Sequence, residues 1–214
     1  MSKSTIARPE GHRSAPTRER IVTEALRLIA ERGYRGTTIA DIEAAAGLSP
    51  GSGALYKHFA SKQAVLAAGL ERHAEVAEAV ASALKMMPLD DFRSELMLFA
   101  RGALQELQAE ENLIKILLKE ADQFPRLLAK MRQRLVDLGY RQTAEWLRLK
   151  VEAGTLPPHD CEAVAAIALG SIVNYQMVQF HFGRPPGEVD EDRFVAAWVD
   201  MVEGLVERRR HAAR

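Results

Sequence analysis

The chain has 214 residues, 47% of them hydrophobic and 27% charged, with equal numbers of acidic and basic side chains, which is typical of a soluble globular protein. Its one cysteine, Cys161, excludes an internal disulfide and a zinc site made of cysteines. No apolar run approaches about 20 residues and the N-terminus has no signal-peptide pattern, so we expect a cytoplasmic protein without a membrane span.

Charge is distributed unevenly along the chain. Residues 1–62 carry a net charge of +4 and residues 63–214 a net charge of −4. Residues 1–15 lack periodicity and are predicted to be a disordered basic arm, which either follows DNA into a groove or serves as a solubilising tail. This distribution predicts a small nucleic-acid-binding unit on a neutral or acidic body.

The first helix is predicted from Pro16 to about Arg32. Apolar residues recur there at the spacing i, i+4, i+7, i+8, so one face of the helix should be buried. Gly33 ends the helix. We expect it to pack on the two helices that follow and to complete a three-helix domain.

A helix, a tight turn and another helix are predicted next. Thr38 and Asp41 have the spacing of a capping box, and Gly47 suits the end of a short helix. Ser49 and the proline after it are typical of a new helix start, and Leu55 lies on the buried edge of that helix. The arrangement indicates a helix-turn-helix unit.

Side chains that can donate hydrogen bonds to phosphates or base edges lie on and after this second helix. A further helix opens at Lys62, where a cation in the first turn opposes the helix dipole unless a phosphate binds there. Lys62 alone is more simply a solvated lysine, but its position after the unit favours the phosphate contact. The predicted DNA-facing residues are Thr38, Ser52, Tyr56, Lys57, His58 and Lys62.

The stretch TTIADIEAAAGLS, followed after a short gap by ALYKHFASKQAVL, is similar to the DNA-binding signature of TetR-family transcriptional regulators. The resemblance implies an all-α fold with an N-terminal three-helix helix-turn-helix domain, residues 16–62, and a C-terminal helical ligand-binding and dimerisation domain, residues 63–214. It also implies a ligand-responsive regulator, expected to be a repressor, that binds a palindromic DNA operator as a homodimer.

Two departures from the family pattern occur together. Two extra residues precede the pair Leu55-Tyr56, and Glu43 stands where a small residue is usual. If the extra residues lengthened a regular helix, Leu55 would rotate by about 200° out of the core. We therefore predict that the insertion is absorbed at the helix start, around Gly51 and Gly53, and that the Glu43 carboxylate accepts hydrogen bonds from amides near these glycines.

The rest of the chain is predicted to be helical throughout. One long helix from Lys62 links the two domains, and Asp90 is expected to cap the next helix. The last two helices, residues 160–182 and 190–210, carry apolar stripes that either fill the core of one chain or meet a second copy as a four-helix bundle. The family resemblance favours a homodimer through these two segments, with Trp198 among the interface residues.

The body is predicted to hold a small-molecule pocket between its middle helices. Aromatic, sulfur-containing and a few polar side chains are concentrated there, and together they favour a mainly apolar effector, although each alone is more simply a core residue. The predicted ligand-binding residues are Met86, Phe92, Met97, Phe99, Leu117, Phe124, Tyr140, Trp146, Tyr175 and Gln179.

Two other classes of protein compete with this interpretation, an enzyme and an architectural DNA-binding protein. Di-iron chemistry in a helical bundle needs Glu-x-x-His pairs, and the sequence has none; it also lacks a nucleophile elbow, a phosphate-binding glycine loop and an HExxH motif. We therefore expect no catalytic residues, no metal and no cofactor. The remaining alternative is an architectural or nucleoid-type DNA-binding protein without a small-molecule effector.

Overall fold

A computed structural model describes residues 16–86, 91–120, 122 and 124–212, so the predicted basic arm lies outside the described residues. All regular structure within these ranges is helical, which confirms the predicted fold class. The α-helices are α1 (Thr17–Arg32), α2 (Ile39–Ala45), α3 (Lys62–Met86), α4 (Phe92–Ala109), α5 (Glu111–Lys119), α6 (Pro125–Met131), α7 (Asp137–Glu152), α8 (Cys161–Phe182) and α9 (Glu191–Ala212). A π-helical turn, Arg132–Val136, joins α6 to α7, and short 3₁₀ helices occupy Ala54–Lys57 and Pro186–Glu188.

Carboxylate caps begin several of the body helices. Asp160 and Asp190 each accept a hydrogen bond from a backbone amide three residues later, at 2.9 Å in both cases. The cap of α4 is Asp91, whose carboxylate accepts from the Ser94 amide at 3.1 Å. The sequence predicted Asp90 for this role, and Asp90 lies outside the described residues.

The first hydrophobic cluster joins the helix-turn-helix unit to the body. It is built by α1, α2, the first 3₁₀ helix and α3, and the apolar face of α5 completes it. The unit predicted to end at residue 62 therefore shares its core with a helix that lies far beyond that boundary. The buried members of this cluster include Ile21, Ala25, Ile29, Ile42, Leu55, Val65, Leu66, Leu113, Ile116 and Leu117.

The body is packed around two further clusters. One lies between α4, α8 and α9, and the other between α7, the loop after it and the start of α8. Phe92 and Trp146 are half-buried and pack against both clusters. Helix α8 is central to this arrangement because it contacts α4, α7 and α9.

A buried histidine connects α3 to the end of α4. His73 is 7% exposed, and its Nδ1 lies 2.9 Å from Oε1 of Glu110 without hydrogen-bond geometry. Its Nε2 lies 3.8 Å from Oε1 of Glu106. Burial raises the pKa of Glu106, against the effect of the nearby His73 and with that of Glu110. No group of three His, Cys, Asp or Glu side chains in the described ranges is placed to hold a metal ion.

Candidate nucleic-acid interface

Helix α2 begins at a complete capping box. The Thr38 hydroxyl accepts from the Asp41 amide at 3.1 Å, while the Asp41 carboxylate accepts from the Thr38 amide at 2.8 Å and from its hydroxyl at 2.6 Å. These bonds from Thr38 lower the pKa of Asp41, and Arg32, 4.0 Å away, adds to the effect. The predicted cap is confirmed. Since the Thr38 hydroxyl already serves it, a DNA contact from Thr38 stays a prediction.

The recognition segment, residues 49–59, starts with turns rather than with helix. Gly51 and Gly53 both have a φ of +72°, a left-handed conformation through which no right-handed helix can continue. The 3₁₀ helix begins only at Ala54, so the predicted helix start at Ser49 is wrong. Leu55 is fully buried, which confirms that the extra residues are absorbed before it.

Three donor side chains lie together on the surface of this segment. Tyr56 is 58% exposed, and Lys57 and His58 are exposed beside it. Ser52 is also exposed, but its hydroxyl donates to the Ser49 carbonyl at 2.7 Å and accepts from the amide of Ala54 at 3.3 Å. Ser52 therefore stabilises the turn, and its predicted contact with DNA stays a prediction.

Glu43 lies beneath the recognition segment. Its side chain is 0% exposed, and its Oε1 accepts from the amide of Leu55 at 3.0 Å. The predicted hydrogen bond to the Glu43 carboxylate from an amide near these glycines is therefore confirmed, and its donor is the Leu55 amide.

Lys62 points into the protein. Its ammonium donates to the carbonyl of Tyr34 and, at 2.5 Å, to that of Thr37, and it lies 4.0 Å from the centre of the Tyr34 ring. Burial lowers the pKa of Lys62, while the charge of Glu120 acts in the opposite direction. Two of its three N–H groups are thus engaged inside, and a phosphate contact would depend on the third.

A set of contacts between the helix-turn-helix unit and the body was not predicted from the sequence. The Glu120 carboxylate, at the end of α5, accepts from the Tyr34 amide at 2.9 Å. Phe124 meets the Tyr34 ring edge-on at 4.5 Å, and Lys119 donates to the Ala30 carbonyl at 3.0 Å. The end of α5 is therefore fixed both to the last turn of α1 and to the loop that leads into α2. The two partners of the Tyr34 bond lie 86 residues apart, and no local pattern connects them.

The predicted ligand-binding residues fall into separate groups. Phe92, Phe99 and Trp146 form a row of near-parallel rings with Trp198, at centroid distances of 5.6–5.9 Å. Tyr175 is buried, stacks on Phe194 and donates to the Val189 carbonyl, while Tyr140 and Gln179 are half-buried. Leu117 is buried in the first cluster and Phe124 packs against it, away from this row. Met97 is 39% exposed, and the side chain of Met86 lies outside the described residues.

Helices α8 and α9 bury one face and expose another. Trp198 is buried in the body, where its indole N–H donates to the Ala168 carbonyl at 2.9 Å, so its predicted place in an interface is wrong. On the outer face, Ile167 is 51% exposed and Met201 39% exposed. By length and composition α8 is apolar enough to cross a membrane, the one such helix among the described residues, although it packs here against three others.

Two family models match the chain over separate segments. The model described as "Bacterial regulatory proteins, tetR family" matches residues 21–68, which contain the recognition segment. The model described as "AefR-like transcriptional repressor, C-terminal domain" matches residues 95–204 of the body.

Known regulators resemble the chain over most of its length. TtgR of Pseudomonas putida is 30% identical over 196 residues, which cover 90% of this chain and 79% of TtgR. YvkB of Bacillus subtilis is 25% identical over 78% of this chain and 85% of its own. Both are described as HTH-type transcriptional regulators.

Solved structures share the fold. A protein of Mesorhizobium loti described as a TetR-family regulator superposes with a TM-score of 0.70 at 20% identity, covering 90% of this chain and 96% of its own. AibR, solved with isovaleryl coenzyme A and operator DNA, superposes with a TM-score of 0.62 at 20% identity, covering 87% and 97% of the two chains.

Proposed function

Since this chain belongs to the TetR family of bacterial transcriptional regulators, we propose that it is a cytoplasmic repressor released from DNA by a small, mainly apolar effector. A homodimer would present two recognition segments to half-sites of a palindromic operator about 34–36 Å apart. The observation that carries the proposal is the core shared between the helix-turn-helix unit and α5, because it makes the position of each segment depend on the body.

The row of rings in the body supports an apolar effector. Phe92, Phe99 and Trp146 are only half-buried although they lie between helices, so apolar surface there is available to a ligand. The AibR structure, which contains isovaleryl coenzyme A, is consistent with an effector that carries an acyl chain.

Tryptophan fluorescence tests the effector directly. The sequence has two tryptophans, Trp146 and Trp198, and both lie in the row. We expect an effector to change this fluorescence, raise the melting temperature and weaken binding to an operator selected in vitro roughly 5–150-fold. Ligands that stabilise the protein but leave operator affinity unchanged would contradict the proposal and favour an architectural DNA-binding protein.

The outer face of α8 and α9 is proposed as the dimer interface. Resemblance to the family favours an interface within residues 160–182 and 190–210, and the exposed apolar side chains of Ile167 and Met201 support this face of the two helices. Ile167→Glu should give monomers by light scattering and weaken operator binding. Leu149→Glu, at an equally apolar and 47% exposed site on α7, is the matched control and should stay dimeric. A dimeric Ile167→Glu variant would place the interface elsewhere.

A further inference from the structure

The recognition segment contains only a short helix without a side-chain cap. Its 3₁₀ helix has four residues, Ala54–Lys57, and Gly53 before it provides no side-chain cap. The first amides of a helix have no acceptor within the helix. The amide of Leu55 is one of them, and it lies in the interior, where an unpaired donor is unfavourable.

Glu43 supplies the missing acceptor from the preceding helix. Its Oε1 accepts from the Leu55 amide across twelve residues of sequence, which joins α2 to the recognition segment inside the core. Its other oxygen, Oε2, is buried without a hydrogen-bond partner. The dipole of the 3₁₀ helix favours a carboxylate at the start of that helix. Burial of a carboxylate with one oxygen unpaired is nevertheless unfavourable. Among the contacts described for this carboxylate, the bond to Leu55 is the one that offsets its burial.

The position of Leu55 determines where the exposed donors point. Leu55 and Phe59 are buried, and Tyr56, Lys57 and His58 between them are exposed. A slip of one residue along a 3₁₀ helix would rotate these three side chains by about 120° and expose Leu55. Base-edge contacts carry sequence information and depend on such directions, whereas phosphate contacts carry none.

We propose that Glu43 is a positioning residue for sequence readout. Its bond to the Leu55 amide sets the direction of the base-reading side chains, and it does not contribute to the general attraction of the domain for DNA. The proposal rests on DNA binding by the recognition segment. Glu43 itself lies in the core and is not placed to touch DNA.

The experiment compares specific with non-specific binding. The full-length wild-type protein first selects an operator from randomised duplex DNA, which tests DNA reading by itself. The affinity ratio for that operator over a scrambled duplex is then measured for Glu43→Ala and Glu43→Gln. Glu43→Ala should lower the ratio about tenfold or more, with affinity for the scrambled duplex and the salt dependence nearly unchanged. Glu43→Gln keeps an acceptor oxygen and should retain the ratio.

A matched control separates positioning from general loosening of the domain. Val22→Ala removes volume from the same cluster but leaves the Leu55 bond intact, and should keep the ratio. If Glu43→Ala fails to fold, Glu43→Asp takes its place, because its shorter side chain cannot reach the Leu55 amide; the same loss is expected. An unchanged ratio in the variant without the bond, or an equal loss in Glu43→Gln or Val22→Ala, would overturn the proposal.

Discussion

The ammonium group of Lys62 holds the loop between α1 and α2. It donates to two carbonyls of that loop, those of Tyr34 and Thr37, and lies over the Tyr34 ring. Thr37 directly precedes the cap of α2, so the lysine positions the start of the helix-turn-helix unit. The sequence pattern placed Lys62 at a helix start correctly, but a pattern in one segment cannot tell which way a long side chain turns.

Replacing Lys62 should therefore affect stability more than replacing a lysine on the proposed DNA-facing surface. Lys62→Met leaves two carbonyls without their donor and should cost about 1 kcal/mol, a loss of a few degrees in melting temperature. Lys57→Met removes the same charge from an exposed position of the same domain. It should leave the melting temperature unchanged and weaken operator binding. The reverse order of melting temperatures would show that Lys62 does not stabilise the loop.

Glu106→Gln is expected to stabilise the protein at neutral pH. Because burial raises the pKa of Glu106, the folded protein binds this proton more tightly than the unfolded chain. Folding is therefore disfavoured as the pH rises from the unfolded pKa, about 4.3, through the folded pKa. The uncharged amide removes this loss, so its gain in melting temperature should be larger at pH 7 than at pH 4. Glu110→Gln, which removes the carboxylate that lies closer to His73, should give no such gain.

The elements that follow local rules were predictable from the sequence. The start of α2 depends on two residues three apart, Thr38 and Asp41, and the buried face of α1 depends on spacing alone. The recognition segment was predictable in one respect, the burial of Leu55, because only that register keeps the core closed. Its helix start was not, since left-handed dihedral angles at Gly51 and Gly53 replace the turn of helix that the preceding serine and proline favour.

Replacement of glycine by alanine should have opposite effects on stability in the recognition segment and in α4. Gly53 has a φ of +72°, so Gly53→Ala should destabilise the recognition segment by about 1–2 kcal/mol. Gly102 lies inside α4, where a methyl group would meet nothing within 4 Å, and Gly102→Ala should stabilise the protein by about 1 kcal/mol. Thermal unfolding measures both changes. A stabilising Gly53→Ala would show that the left-handed turn is absent.

At the scale of the whole molecule, local sequence patterns could not predict the contacts between segments that are distant in sequence. Glu120 meets Tyr34, and the apolar face of α5 enters the first cluster. Both follow from the path of the whole chain, and neither leaves a signal in either segment alone. The ligand-binding residues show the same limit. Leu117 belongs to the first cluster and Phe99 packs against the second, and helical spacing alone cannot assign either residue to its cluster.

A substitution in the body should loosen the DNA-binding unit. Ile116→Ala on α5 removes a side chain that is 1% exposed within the first cluster, at a cost of about 2–5 kcal/mol. Hydrogen exchange should become faster in α1 and α2. Ile172→Ala, fully buried in a separate body cluster, is the matched control and should accelerate exchange in α8 with little effect on α1. Equal protection of α1 in both variants would contradict a shared core.

The place of α5 in the first cluster sets a condition for building chimeric biosensors. The reading head, meaning the helix-turn-helix unit together with the helices that complete its core, is assembled from two stretches of chain. These are α1 to α3 and α5, with α4 between them in sequence. A sensor made by joining this reading head to a relative's body after α3 would bring in a foreign α5. For the hybrid to keep its core and its bond to Tyr34, four residues would have to be transplanted with the head: Leu113, Ile116, Leu117 and Glu120.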